Sequence, residues 1–208
     1  MIGYIFGGAD IEDYSRIEVA KGALVIAADS GYRHCKELGI VPDRMIGDFD
    51  SIGDDCLPED TGIEVIHVSK EKDDTDLLLA VRECLMEHCS DIRIYGGDGG
   101  RMGHTIANVQ ILRSIARFGC KGKIYGNGFE MVFGTKGMHN FYNYGYRYVS
   151  ILAMSNNADI EVRGLRYTGV DGHISLSSDY PKGVSNEFAD SSCSIEVISG
   201  EVLIILEY

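Results

Sequence analysis

The hydrophobic pattern of the chain changes once, near Gly126-Asn127-Gly128. Before this point, short apolar runs alternate with segments whose apolar residues recur every three or four positions, as in helices. After it, apolar and polar residues alternate with period two, as in Tyr146–Ile151 and Ile160–Arg163, which is typical of short strands. The change predicts an α/β domain over residues 1–127 and a small all-β domain, a sandwich or a barrel, over residues 128–208.

In the first part, strand patterns alternate with helix patterns, which predicts a mostly parallel sheet with right-handed crossovers. The predicted strands are Ile2–Phe6, Leu24–Ala27, Met45-Ile46, Ile63–Val68, Ile92–Tyr95 and Lys123–Tyr125. The predicted helices are Ile11–Lys21, one capped by Ser30 and running through Leu38, one from Thr75 to about His88, and Thr105–Phe118. In the second part, Ser194–Ile198 and Val202–Leu206 flank a short glycine turn and predict a hairpin.

Unusual polar or glycine motifs follow four of these strands. They are Gly7-Gly8, Asp29, the pair Asp48 and Asp50, and Gly96–Arg101. Ligands of open α/β sheets bind at the carboxyl ends of the strands. We therefore expect these motifs to meet at one edge of the sheet and to form a binding site there.

Asp48 and Asp50 stand two residues apart in Gly47-Asp48-Phe49-Asp50-Ser51, directly after a predicted strand. Side chains of a strand alternate with period two, so both carboxylates are expected to leave its tip on one side. Two buried anions so close repel each other, and a hard divalent ion such as Mg²⁺ relieves that repulsion. The same residues also fit a polar loop of an acidic protein.

A second acidic motif, Lys72-Asp73-Asp74-Thr75-Asp76, makes a metal site the better interpretation. Asp76 is the best candidate in it to point inward, although acids at a helix start also complement the helix dipole. Further along, the glycines of Gly96–Gly100 let backbone N–H groups approach an anion closely, and Arg101 can bind two oxygens of a phosphate. A simple flexible turn is the alternative for this glycine segment.

Composition excludes several classes of protein. The formal net charge of −13 disfavours nucleic-acid binding, and a phosphate substrate then requires metal ions to screen its approach. No segment predicts a signal peptide or a membrane-spanning helix, and six scattered cysteines without a Cys-x-x-Cys pair favour the reducing cytoplasm. The glycine-rich loop of common NTPases, which ends in Gly-Lys-Ser/Thr, is absent.

Four motifs together resemble the thiamine pyrophosphokinase family. They are GDFDS, KDDTD, GGDGGR-x-x-H-x-x-AN and Gly183-Val184-Ser185-Asn186-Glu187-Phe188, and they span nearly the whole chain in the family's order. The resemblance implies an α/β catalytic domain followed by a β-sandwich. It implies transfer of the pyrophosphoryl group of ATP to the hydroxyl of thiamine, with Mg²⁺ and release of AMP. It also implies a homodimer with thiamine bound at the subunit interface.

The resemblance also implies roles for individual residues. Mg²⁺ would be held by Asp48, Asp50 and Asp76, with Asp73 close to them as a fourth catalytic carboxylate. Residues lining ATP would be Lys72, Thr75, Arg101 and Asn108. Thiamine would contact Ser185 and Asn186 of the partner subunit, with Asp29 at the floor of the cleft.

One position departs from the family pattern. Members of the resembled family usually carry aspartate in the stretch Gly-Gly-Arg-x-Asp-His, and this chain has Gly103 there. A lost carboxylate suggests two alternatives: a catalytically impaired relative that only binds thiamine or nucleotide, or a pyrophosphokinase for another heterocyclic alcohol such as a pterin. Comparison of the two alcohols, and of AMP formation with ligand binding, separates these alternatives.

Overall fold

The computed structural model describes residues 1–49, 62–69 and 74–208, which form two compact units, Met1–Asn127 and Gly128–Tyr208. The first unit is α/β and the second is all-β, as the change of hydrophobic period predicts. Within the described ranges, no helix is both long enough and apolar enough to span a membrane.

The described part of the first unit contains six parallel strands in the spatial order β4-β3-β2-β1-β5-β6. The strands are β1 (Ile2–Phe6), β2 (Leu24–Ala28), β3 (Arg44–Gly47), β4 (Glu64–His67), β5 (Asp91–Tyr95) and β6 (Lys121–Gly126). Their helices are α1 (Tyr32–Glu37), α2 (Asp76–Met86) and α3 (Met102–Arg117), with a 3₁₀ turn at Asp29–Gly31. The central strands are almost entirely apolar and buried, as expected for a parallel sheet covered on both faces.

The predicted helix over Ile11–Lys21 does not form. The hydroxyl of Tyr4 donates to the carbonyl of Glu18 (3.0 Å) and accepts from the N–H of Ala20 (3.3 Å). This core side chain therefore binds backbone groups that would form hydrogen bonds with other backbone groups in a helix. Ile17 and Val19 of the same segment pack against the apolar core. Tertiary contacts here outweigh the local helical pattern.

Two further helix predictions need correction. Ser30 does not cap α1; it lies in the 3₁₀ turn, and the N-cap of α1 is Gly31, which has no side chain to bond with. Helix α3 begins at Met102, three residues before the predicted start at Thr105, and Ile106 near its start is 57% exposed. The first turn of α3 carries no apolar stripe, so periodicity alone did not reveal it.

Arg44 ties three elements of the first unit together. Its guanidinium contacts Glu64 of β4 (2.7 Å) and two residues of the α2 region, Glu83 (3.0 Å) and Glu87 (2.6 Å). The arginine side chain is 18% exposed, so the three carboxylates surround a largely desolvated cation. A network of this kind fixes α2 against the edge of the sheet better than isolated surface pairs do.

The second unit is a sandwich of two antiparallel sheets, β7-β13-β9 and β11-β10-β12-β8. Its strands are β7 (Phe129–Gly134), β8 (Gly137–Tyr142), β9 (Tyr148–Ala153), β10 (Asn157–Arg163), β11 (His173–Ser177), β12 (Ser192–Ser199) and β13 (Val202–Glu207). Alternate residues of both sheets meet in one apolar core, for example Ile195 and Val197 of β12 with Val202 and Ile204 of β13.

The predicted hairpin of β12 and β13 is therefore wrong. The two strands are consecutive but pair in different sheets: β12 with β10 and β8, and β13 with β7 and β9. Gly200, at φ +79°, makes the corner between them, where a Cβ would lie 2.7 Å from the Ser155 hydroxyl and 2.8 Å from the Cα of Ala158. A glycine turn between two alternating runs fits a sheet-to-sheet corner as well as a hairpin.

Candidate active site

A cleft of about 460 Å³ opens at the carboxyl ends of β1, β2 and β5. Five residues that the sequence singled out line it: Asp29, Thr75, Asp76, Arg101 and Asn108. The remaining wall is largely backbone, contributed by the glycine segments that follow β1 and β5. A cleft with much exposed backbone and a few polar side chains suits a ligand rich in oxygen atoms.

The two glycine segments approach each other backbone to backbone. A Cβ on Gly7 would lie 2.5 Å from the carbonyl oxygen of Gly96, and Gly96 itself has φ +62°. The N–H of Ala9 donates to the same Gly96 oxygen at 3.1 Å. Only glycine allows this contact, which sets the width of the cleft.

Asp29 occupies strained backbone, with φ +49° in the 3₁₀ turn after β2. Gly47, the last residue of β3, packs against it: a Cβ there would lie 3.0 Å from the Cα of Asp29. Left-handed conformations cost about 1–3 kcal/mol for residues other than glycine and concentrate at functional sites, although aspartate tolerates them better than most. The strained position supports a functional role for Asp29.

Asp48 follows Gly47 directly, yet it is not among the described residues that line the cleft. Phe49 after it has φ +55° and packs its ring edge-on against His67, with 5.3 Å between centroids. Strand β3 ends at Gly47, so Asp48 itself is not a strand residue, and the expectation that Asp48 and Asp50 leave the strand tip on one side stays a prediction. Asp50 lies outside the described residues, as do Lys72 and Asp73.

The start of α2 brings Thr75 and Asp76 to the cleft. Thr75, the predicted start of this helix, is its N-cap, and its hydroxyl oxygen accepts from the N–H of Leu78 at 3.2 Å. Asp76 is the first helical residue, where the helix dipole favours a negative charge. A carboxylate fixed at a helix start by a hydrogen-bonded cap is a rigid oxygen donor at the cleft wall.

The start of α3 supplies positive potential to the same cleft. Arg101 is the N-cap but forms no side-chain capping bond, so the first N–H groups of this 16-residue helix have no partner from that side chain. Arg101 and His104 both line the cleft. A glycine turn leading into an uncapped helix start is an arrangement that binds phosphate groups.

Asn108 lies one turn after His104 in α3 and is 8% exposed. Its Nδ2 donates to the carbonyl of Gly97 at 2.6 Å, which fixes the glycine turn against α3. The structure thus gives this amide a positioning contact, in addition to its place in the cleft lining.

Sequence reasoning missed two residues of α1 that support the cleft. Arg33 donates to the carbonyl of Gly8 (2.8 Å), and Nε2 of His34 donates to the carbonyl of Ala9 (2.8 Å). Since that carbonyl can only accept, Nδ1 of His34 accepts from the hydroxyl of Tyr14 (2.7 Å). Burial lowers the pKa of His34. Neither residue belongs to a motif, so only the fold reveals them.

In the second unit, Ser185 and Asn186 make contacts within the sandwich. Ser185 has φ +56°, and its N–H donates to the Ser150 hydroxyl at 3.1 Å. The side-chain oxygen of Asn186 accepts from the N–H of Tyr167 (3.0 Å), and its Nδ2 donates to the Tyr167 carbonyl (2.7 Å). Asn186 is 6% exposed, so this amide joins two loops of the unit.

The family model of the thiamin pyrophosphokinase catalytic domain matches residues 17–124, more than half of the chain. The chain belongs to the thiamin pyrophosphokinase family. The matched region includes every cleft element from β2 to α3. This confirms the resemblance found in the four motifs.

Individual members of the family agree with this assignment. The thiamine pyrophosphokinase of Bacillus subtilis strain 168 is 29% identical over 186 residues, covering 88% of this chain and 86% of that protein. The crystal structure of thiamin pyrophosphokinase from Geobacillus thermodenitrificans has a TM-score of 0.84 at 25% identity and covers 100% of this chain and 98% of its own. The thiamin pyrophosphokinase of Candida albicans shares the fold, with a TM-score of 0.80 at 17% identity over 99% of this chain and 88% of its own.

Proposed function

We propose that this protein transfers the pyrophosphoryl group of ATP to the hydroxyl of thiamine, giving thiamine diphosphate and AMP. The observation that carries the proposal is the cleft of a family member in which a glycine turn, Arg101 and the uncapped start of α3 face Thr75 and Asp76. Phosphoryl-type transfer needs in-line positioning and charge neutralisation more than covalent assistance, and this set of groups offers both.

The ATP phosphates are assigned to the positive side of the cleft. Backbone N–H groups of Gly96–Gly100 and of the α3 start hold the anionic oxygens, and the guanidinium of Arg101 binds two of them. Lys72 and Thr75 are proposed to contact the same nucleotide, with Asn108 fixing the turn. These groups orient the phosphate chain and leave its reacting phosphorus exposed to the thiamine hydroxyl.

Mg²⁺ is proposed to bind at the acidic side, held by Asp48, Asp50 and Asp76, with Asp73 close by. Within residues 1–49, 62–69 and 74–208, no cluster of three or more His, Cys, Asp or Glu is arranged to hold a metal ion. The donor chemistry nevertheless fits: carboxylates are hard oxygen ligands, and Mg²⁺ in nucleotide sites commonly uses only one or two of them together with phosphates. When bound, Mg²⁺ neutralises charge on the phosphate chain.

Thiamine is proposed to bind between subunits of a homodimer, with Ser185 and Asn186 from the partner and Asp29 at the cleft floor. The buried contacts of Asn186 hold the Tyr167 loop, and contact with thiamine is proposed as a second role of this residue. An active monomer by light scattering would overturn the shared site. We place the enzyme in the cytoplasm, since the five described cysteines are all free thiols.

The deciding experiment is AMP formation from ATP with and without thiamine and Mg²⁺. AMP that appears only when all three are present supports the proposal. A pterin alcohol in place of thiamine tests the alternative substrate, and thiamine binding without AMP formation identifies a non-catalytic relative.

A further inference from the structure

Asp98 is a buried acidic residue that the proposed reaction does not use, and it lies in the middle of the glycine turn. We propose that Asp98 is a positioning residue, which holds the turn Gly96–Gly100 in its phosphate-binding conformation through a hydrogen bond to Asn127. This inference rests on the proposed function, because it takes the turn to be the site of the ATP phosphates.

The burial of Asp98 requires an explanation. It is 6% exposed, whereas carboxylates are rarely buried unless they are paired. That burial raises the pKa of the Asp98 carboxyl above its usual range. Two backbone N–H groups compensate in part: that of Asp98 itself, and that of Asn127, which donates to Oδ2 of Asp98 at 3.2 Å.

Asn127 is itself anchored to the segment that follows β1. Its Oδ1 accepts from the N–H of Glu12 (2.9 Å), and its Nδ2 donates to the carbonyl of Asp10 (3.0 Å). Asp10 pairs with Arg33 at 2.6 Å, and the same guanidinium donates to the carbonyl of Gly8. The bond from Asp98 to Asn127 therefore connects the glycine turn after β5 with the glycine segment after β1.

The turn needs this anchor because of its composition. Gly96 and Gly97 are held through their carbonyls, by the N–H of Ala9 and by Asn108. Gly99 and Gly100 have φ +90° and +65°, and a Cβ on Gly100 would meet nothing within 4 Å. Asp98 is the one residue of the turn with a side chain, so it alone can fix the second half of the turn through a side-chain contact.

The physical role of Asp98 is to accept a hydrogen bond, and its charge is unfavourable. A carboxylate beneath a phosphate site repels the phosphate, whereas the Asn127 N–H needs only an oxygen acceptor of the right reach. Asparagine retains that acceptor without the charge. Glutamate retains the charge but places its carboxylate one methylene further away. Alanine removes both the acceptor oxygen and the charge.

The test is the dissociation constant of MgATP, measured by titration calorimetry for the intact protein and its variants. We expect Asp98→Ala and Asp98→Glu to weaken MgATP binding about tenfold, which is about 1.4 kcal/mol. Asp98→Asn should bind within about twofold of the parent, and the Michaelis constant for thiamine should change less than that for ATP in every variant. The control Asp91→Ala removes a carboxylate from the opposite end of β5 and should leave MgATP binding unchanged.

The results discriminate among other roles. If Asp98→Ala binds MgATP as tightly as the parent, the inference is overturned. It is also overturned if Asp98→Asn binds MgATP as weakly as Asp98→Ala, or if Asp98→Glu binds it as tightly as the parent. Either of these last two results would assign the effect to the charge of Asp98. If the alanine variant fails to fold, the MgATP affinities of Asp98→Asn and Asp98→Glu still test the inference. A parent that binds MgATP but forms no AMP refutes the proposed function alone, whereas a parent that does not bind MgATP refutes the inference as well.

Discussion

The two units use their motif residues in different ways. In the α/β unit, Asp29 follows β2, Asp76 begins α2 and Arg101 precedes α3, and all three line one cleft. In the sandwich, the side-chain oxygen of Asn186 accepts two N–H groups, from Tyr167 and Glu187, and its amide nitrogen bonds a carbonyl. The comparison teaches that a motif locates a functional region, while the hydrogen bonds of each residue decide whether it binds a ligand or builds the surface that does.

The largest effect is expected from Asp76 in the α/β unit. Asp76→Asn should lower turnover by roughly two to four decades, since a metal clamp supplies several kcal/mol and each 1.36 kcal/mol is tenfold. Steady-state AMP formation measures this, with Asp74→Asn as the matched control. Asp74 is two residues away and pairs with Arg82, so its loss should change turnover little. Equal losses in both variants would remove Asp76 from the site.

Asn186→Ala tests the sandwich side of the comparison. Loss of a buried amide with three hydrogen bonds should lower the free energy of unfolding by about 1–3 kcal/mol. The Michaelis constant for thiamine should rise far more than that for ATP if the residue also serves the substrate. Thermal unfolding and kinetics on the same preparation separate the two effects.

The control for Asn186 is Asn143→Ala. Asn143 accepts from the N–H of Gly145 at 3.0 Å in an exposed turn, so its loss should cost about 0.5 kcal/mol or less. If Asn186→Ala raises both Michaelis constants equally, the residue only supports the loop. The motif residues of the α/β unit would then line a binding cleft, whereas Asn186 of the sandwich would be purely structural.

The smallest effect concerns Gly103, where the sequence departs from the family pattern. Gly103 is in the first turn of α3 without positive φ, and a Cβ there meets nothing within 4 Å. Gly103→Ala should therefore stabilise the protein by about 0.5–1 kcal/mol. Gly103→Asp should add less than about fivefold in AMP release, since a first-turn carboxylate contributes about 0.3–1 kcal/mol, and only at saturating Mg²⁺.

Gly119 provides the contrasting variant, at the other end of the same helix. It also has open space around it but sits at φ +78°, so Gly119→Ala should cost about 1 kcal/mol or more in unfolding free energy. A Mg²⁺ series that compares Gly103→Asp with Gly103→Ala isolates the effect of the carboxylate. No gain at any Mg²⁺ concentration would show that Gly103 is a neutral variant.

The sequence predicted which strands follow one another along the chain and that an α/β unit precedes a β-sandwich. These features depend on the period of the apolar residues and on local signals such as the helix start at Thr75. Prediction from the sequence failed where distant groups decide the local structure. The segment Ile11–Lys21 is not helical because Tyr4 of another strand binds its backbone. The turn at Gly200 is a corner because β12 and β13 find partners far along the chain.

The same distinction holds in the cleft. Thr75, Asp76, Arg101, Asn108 and Asp29 were predicted as site residues from local motifs, and the structure brings them to one cleft; their contacts with ATP, Mg²⁺ or thiamine remain predictions. Arg33 and His34 support the cleft from α1 through backbone carbonyls, a role that no residue pattern encodes. Left-handed backbone at Asp29, Phe49 and Ser185 was equally hidden, because none of these positions is a glycine.

The position of β13 has a consequence for how the protein emerges from the ribosome. It is the last strand of the sandwich along the chain, yet both β7 and β9 pair with it. Until Val202–Glu207 has been synthesised, these two strands therefore present unpaired edges to other nascent chains. By contrast, the six described parallel strands of the α/β unit pair with one another within Met1–Asn127. During synthesis, the α/β unit can thus fold before the sandwich is complete. The newly made second unit is then the aggregation-prone part of the molecule.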